Sequence, residues 1–480
     1  MIYMEEMLQQ TEKISEEVRQ KEKAQFDKMT KTPIARLIIS LGIPTTLNMM
    51  VTSLYNLADT LFVSGLGDAA VGAVGVVLSL MSIIQAIGFT FGMGAGAVVS
   101  KLLGERRQKD ADVTASSSFA VSLIVGLLIT ILGVAFLEPL MKLLGAAQEA
   151  TGATTLQSAS TYAFYILLSA PFMCASFVMN NLLRAQGKAW LSMIGLVTGA
   201  VLNVGLDPIL IYGFSMGVRG AAIATMASQI VSFGILLVMF LSGKSIARLR
   251  LKSVSFSWRV HGEVIATGFP SFCRQMLASL CTILLNYAVK PYAGGQAAMA
   301  VVQKVFMLAF SLSLGIGQGY QPALGYNYAA KRYDRVKQAY LFTLFFAMIL
   351  MTAFALVCAI ITPFLMDAFL DGETAREIGR TTLRLQCISM PLLPVNFMAA
   401  VTYQVVGNKA SAAALSVSRQ GLFYIPVILL LPMWFGVFGI ESAQLFSDIG
   451  ACLFALPFTF VFFKKLNGLI GDSAKTVKTV

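Results

Sequence analysis

The sequence predicts an all-α polytopic membrane protein, twelve transmembrane helices in two pseudo-symmetric six-helix bundles. Three observations carry that prediction. Of 480 residues, 57% are hydrophobic and only 12% charged, whereas soluble domains carry about 25% charged residues. Apolar stretches of the length a bilayer requires, about 20 residues, recur from one end of the chain to the other. The chain also matches itself weakly at an offset of about 220–226 residues.

The spans fall near 37–63, 70–98, 114–137, 158–183, 190–213 and 219–242, then 264–288, 297–320, 339–366, 382–405, 412–434 and 438–463. Leu41-Gly42-Ile43-Pro44 opens the first, and Thr267-Gly268-Phe269-Pro270 opens the seventh. Gly92, Gly94 and Gly96 end the second, as Gly315, Gly317 and Gly319 end the eighth. The fourth carries Pro171 and Phe177 with Gly187 beyond it, the tenth Pro391 and Phe397 with Gly407. Gly217-Val218-Arg219-Gly220 and Gly436-Val437-Phe438-Gly439 mark the last turn of each half. The alternate-glycine motif follows an apolar span and no strand, so it lacks the context of a dinucleotide loop. Close helix packing or bending explains it better.

These landmarks divide the chain into a tail (1–33), a six-helix lobe (34–243), a basic linker (244–261), a second lobe (262–465) and a C-terminal tail (466–480). The first tail has seven acidic and six basic residues among residues 1–32 and no apolar core, so it is not a signal peptide; a surface helix and a disordered segment both fit it. Five alternate loops together hold sixteen Lys and Arg, and the intervening loops hold five, Lys142, Arg219, Lys290, Arg376 and Arg380. By the positive-inside rule both termini are cytoplasmic, in a multi-pass protein of the plasma (inner) membrane. The net charge of +12 then reflects topology and anionic headgroups, not nucleic acid.

The chemistry sits inside the spans. Asp59 lies in the first and Asp207 in the fifth, each with a polar residue one helical turn earlier, Tyr55 and Asn203. An intramembrane carboxylate costs about 2.5–3.5 kcal/mol on insertion scales, and such residues mark function by default. Both acids lie roughly 6–9 Å below the outer end of their spans at 1.5 Å per residue, and Thr225 of the sixth span falls at the same level. The repeat aligns Asp59 with Leu285 and Asp207 with about Ile425, so the acids belong to one half. Two close carboxylates in a dry pocket call for a proton, or for Na⁺ on hard oxygen ligands. Pro44 and Pro208 each remove a backbone hydrogen bond in the spans that carry the acids and are candidate bending points.

Blander readings cover the rest. Asp448, Arg274, Arg384 and Arg419 pair or hydrogen-bond within the second half, Glu441 is solvated near an interface, and Lys304 snorkels or lines a cavity. The six cysteines fall within spans without metal-ligand spacing and act as small hydrophobes. His261, the single histidine, lies in a basic loop and carries no role.

Several motifs together resemble the multidrug and toxic compound extrusion (MATE) family: Pro44 to Asp59 ending in NLADTLFVSGLG, GMGAGAVVSKLLGERR, Asn203 to Asp207 with Thr225, and GIGQGYQPALGYNYAAKRYDRV. The resemblance covers residues 34–465. It implies a V-shaped, monomeric exporter of amphipathic, often cationic compounds in exchange for H⁺ or Na⁺, with no cofactor. It also implies a cation site in the N-terminal lobe at Asp59, Tyr55, Asn203, Asp207 and Thr225. Asp59, Asn203, Asp207 and Thr225 would be the ligands if the ion is Na⁺. An asparagine of the fourth span joins the family pocket, matched by Asn180 or Asn181, and Gln275 is a further pocket candidate in the seventh. The other branch of the family has a glutamate in the seventh span, where this chain offers Arg274 and Gln275. The alternative is a flippase or exporter of lipid-linked oligosaccharides from the same wider superfamily, for which Arg274, Lys304 and Arg419 could line a cavity. An intramembrane enzyme would need a nucleophile–base set or a metal motif, and the sequence offers neither.

Overall fold

The computed structural model describes residue 16 and residues 19–66, 68–146 and 155–478. The rest of both tails lies outside the described residues. Among those described there is no strand, and twelve helices are long and apolar enough to cross a membrane. A first helix, α1 (residues 19–31), precedes them. The first lobe comprises α2 (Ile34–Ser64), α3 (Asp68–Gly104), α4 (Gln108–Ala135), the short α5 (Leu137–Leu143), α6 (Thr155–Ala185), α7 (Ala189–Pro208) and α8 (Gly217–Leu241). The second comprises α9 (Trp258–Val289), α10 (Gly295–Ala329), α11 (Tyr333–Phe369), α12 (Glu373–Ser389), α13 (Leu393–Val406), α14 (Lys409–Val417), α15 (Ile425–Phe435) and α16 (Val437–Lys478).

Three spans expected to be regular are interrupted, each beside a residue that disturbs the ladder. After Pro208 the chain continues as a wide π turn, Ile209–Gly213. A 3₁₀ turn, Met390–Leu392, divides the tenth span where Pro391 and Pro394 withhold backbone donors. In the eleventh, a π segment, Ser418–Tyr424, ends just before Pro426. Such widened turns inside helices recur at functional sites. By contrast α2 continues unbroken through Pro44.

The lobes meet in two related seams, α2 along α10 and α3 along α9. The sequence repeat equates α2 with α9 and α3 with α10, so each seam is the counterpart of the other. Glycines make the approach possible. A side chain on Gly94 would strike the Val264 carbonyl, one on Gly268 the Thr90 carbonyl, and one on Gly319 the backbone of Gly42. Thr45 ties the seam by donating its hydroxyl to the Gly315 carbonyl at 2.7 Å. All these contacts lie towards the end that carries both termini. The seam reaches mid-span at Ser53 and Ser311, whose hydroxyls are 2.6 Å apart. One and two turns further along that face of α10, Met307 and Lys304 are exposed.

The terminal end is sealed by polar straps. Buried Gln186 accepts through Oε1 from the Ser245 hydroxyl (2.9 Å) and the Ala247 amide (3.1 Å), and Asp112 accepts from the Arg248 amide at 2.9 Å. These bonds hold the basic linker against the first lobe. His261 sets its Nε2 2.8 Å from the Ser255 carbonyl, a structural contact consistent with its having no other role. Helix α1 spans both lobes: Gln25 donates to the Gln186 carbonyl (2.7 Å), while Asn327 and Arg332 donate to the carbonyls of Met29 and Thr30, each at 3.0 Å. Asn327 is fully buried and also accepts from Arg335 Nε at 2.9 Å. Asn327→Ala is therefore expected to raise deuterium uptake in residues 19–31 several-fold, leaving uptake in α6 unchanged.

Candidate functional site

Four elements bring the site together. Asp59 comes from the last turns of α2, Asn203 and Asp207 from one face of α7, Thr225 from α8 and Tyr162 from α6. All five side chains are buried, with Asp207 at 0% exposure. Asn203 Nδ2 donates to Asp207 Oδ1 at 3.4 Å and to Thr225 Oγ1 at 3.3 Å. The Tyr162 hydroxyl lies 3.5 Å from both Asp59 Oδ2 and Thr225 Oγ1. Tyr162 and Thr225 thus connect the carboxyl of Asp59 to that of Asp207 through Asn203. Tyr212 closes the outer side, donating its hydroxyl to the Phe62 carbonyl at 2.6 Å.

Three acceptor oxygens in this cluster are buried without a partner: Asp59 Oδ1, Asp207 Oδ2 and Asn203 Oδ1. Buried polar atoms are nearly always paired, and an orphan calls for an explanation. Among the described residues, no Lys, Arg or His reaches either acid within ion-pair distance. Two carboxyls, an amide oxygen and a threonine hydroxyl form an oxygen-rich, electron-donating set that fits a proton or a hard monovalent cation.

A cavity of about 80 Å³ lies directly below, lined by Tyr55, Asn203 and Thr225 with Gln85, Met173, Phe177 and Ser228 among others. It is far smaller than the roughly 300–1,000 Å³ of drug-sized pockets, but it has room for several waters. Tyr55 thus lines the approach to the acids, and the tyrosine that contacts Asp59 is Tyr162. Tyr162 was missed from sequence, although it sits four residues from the expected outer end of the fourth span, the depth at which the acids were placed.

The asparagines of α6 do not reach this pocket. Asn180 donates to the Ser192 carbonyl and hydroxyl, both at 3.0 Å, and Asn181 accepts from Arg184 and donates to the Phe177 carbonyl at 2.7 Å. They lie about 27 Å along the helix from Tyr162, where they fasten α6 to α7 and to Arg184. Gln275 is half-buried on α9 and reaches neither lobe's cavity.

In the second lobe, Asp448 pairs with Arg419 alone, Oδ1 to Nε at 2.7 Å. Arg384 is exposed and Arg274 stands over the Phe397 ring, 5.3 Å from its centroid, so neither takes part in the pairing expected of them. Glu441 is buried at 6% exposure, not solvated, because α12 packs over the first turns of α16. All six cysteines are free.

Two six-span lobes of the same orientation, related by an internal repeat, are an arrangement found among membrane transporters. The chain belongs to the MatE family, whose profile matches residues 44–209 and 270–430. Multidrug export protein MepA of Staphylococcus aureus (strain MSSA476) is 24% identical over 439 residues, 91% of this chain and 96% of that protein. MepA of Staphylococcus saprophyticus is 25% identical over 443 residues, with the same coverage. A MATE transporter crystallised in complex with MaL6 superposes with a TM-score of 0.86 at 25% identity, covering 92% of this chain and 99% of its own. The family and these relatives are transporters, not enzymes.

Proposed function

We propose that the chain exports small amphipathic, often cationic compounds in exchange for H⁺ or Na⁺, with Asp59 and Asp207 as the coupling pair. The observation that carries this reading is the cluster of three orphan oxygens on Asp59, Asp207 and Asn203, buried together with no basic residue within ion-pair distance among the described residues. The MepA relatives, multidrug export proteins, support the export of small molecules. With the basic loops in the cytoplasm, the sealed end faces inward.

An ion entering the pocket neutralises a carboxyl pair that otherwise opposes the packing of α2 on α7. Asp59, Asp207, Asn203 and Thr225 would hold it if it is Na⁺; a proton would sit between the two carboxyls. A ligand shifts a conformational equilibrium only by its differential affinity for the two states. The coupling ion therefore has to bind the pocket unequally in the two access states. Pro44 and Pro208, which leave backbone carbonyls without their usual helical partners, let α2 and α7 change shape at low cost.

The test is dye efflux in everted vesicles energised by an imposed pH or Na⁺ gradient. Wild type is expected to respond to one gradient, which names the ion, and Asp59→Asn to neither while reaching the membrane in normal amount. Normal gradient-driven efflux by Asp59→Asn would refute the coupling role.

A further inference from the structure

The second lobe holds a cavity at the place corresponding to that of the first, and its charge is inverted. The repeat sets Phe397 against Phe177, and both rings line their lobe's cavity. The first cavity leads to two acids. Its counterpart, about 20 Å³, is lined by Arg274, Arg419, Asn396, Ser416 and Gln420 against Phe310 and Phe397.

Among the described residues, Asp448 is the one acid within ion-pair distance of either cation, and it is fully engaged. Asp448 accepts from Arg419 Nε (2.7 Å) and Gln444 Nε2 (2.8 Å) on Oδ1, and from the Ser389 hydroxyl (2.7 Å) on Oδ2. Arg419 Nη2 is nonetheless buried without a partner. Arg274 has no hydrogen-bond or ion-pair partner among the described residues. Each guanidinium has a face against aromatic rings, Arg274 on Phe397 at 5.3 Å and Arg419 on Phe306 at 5.2 Å. Stacking of this kind leaves the N–H edge free to donate. A cation at mid-span without a counter-charge is disfavoured, and a bound anion would remove that penalty.

We propose that this cavity is an anion-binding site that takes one small anionic group between Arg274 and Arg419. Its volume holds one or two water-sized groups, the size of a halide or a single carboxylate. The group can come from free chloride or from the carboxylate of a transported compound.

The test is ³⁵Cl NMR line broadening of chloride by the purified full chain in lipid nanodiscs. Wild type is expected to broaden the line in excess of Arg274→Met by at least fivefold, and Arg274→Lys to retain most of the effect. Removing an unpaired charge from mid-span favours folding, so Arg274→Met is expected to be monodisperse, with a melting temperature that no longer depends on replacing gluconate by chloride. Loss of the broadening on adding benzoate, but not benzamide, assigns the site to substrate carboxylates; persistence assigns it to free halide. Equal broadening by wild type and Arg274→Met overturns the site. No gradient or transport enters the measurement, so it stands or falls apart from the acid-pair coupling.

Discussion

Gly268→Ala is expected to lower efflux at least tenfold and to widen the gap between the lobes at the end that carries the termini. The reason is steric. A methyl group on Gly268 would overlap the Thr90 carbonyl across the α3–α9 seam, and backbone cannot swing aside as a side-chain tip can. Overpacking a dense contact usually costs about 1–3 kcal/mol. A two-state equilibrium shifts about tenfold for each 1.4 kcal/mol, so that range disfavours the closed state by roughly 5- to 150-fold. Spin labels at Lys109 and Asp334, exposed residues on opposite lobes, should report a longer distance in the variant by double electron–electron resonance. Gly234→Ala is the matched control, because its added carbon meets nothing within 4 Å. An unchanged distance distribution in Gly268→Ala would show that the seam is not the closure.

Much of this architecture was legible because hydrocarbon leaves so few options. A chain crossing a bilayer must satisfy its backbone internally, so runs of apolar residues become helices. The twelve spans follow from that rule, and so does the depth at which Asp59, Asp207 and Thr225 converge. Interruptions were harder to see. Pro208 and Pro391 announce a missing donor, but a widened turn over Ser418–Tyr424 has no signature beyond a proline two residues after its end. Side-chain direction was the weakest inference. Asn180 and Asn181 were assigned to the pocket by family likeness, yet helix phase and depth aim them at α7 and Arg184. The same depth arithmetic, applied to every polar residue of the fourth span, singles out Tyr162 instead. Glu441 departs from expectation for a related reason. Proximity to a span's end says nothing about whether another helix covers it, and α12 does.

The largest stability effect is expected at Asp448. Its side chain is 1% exposed and its partner Arg419 11%, so the pair sits in a medium where water cannot replace either member. Asp448→Leu removes the carboxylate and leaves the guanidinium held between Phe306 and Phe310, 5.2 and 5.5 Å from the two ring centroids. The donors of Gln444 and Ser389 lose their acceptor at the same time. Breaking a buried pair from one side costs about 3–5 kcal/mol, whereas replacing both members with apolar residues of similar volume is often neutral or stabilising by about 1–4 kcal/mol. Thermal unfolding in detergent is therefore expected to rank Asp448→Leu well below wild type and Arg419→Met/Asp448→Leu at or above it. Arg419→Met alone should fall between, because its orphaned Asp448 still accepts from Gln444 and Ser389. If Asp448→Leu melts with wild type, the carboxylate is not what holds Arg419 in the membrane core. The two aromatic rings and the bound anion proposed for the neighbouring cavity would then have to carry that charge.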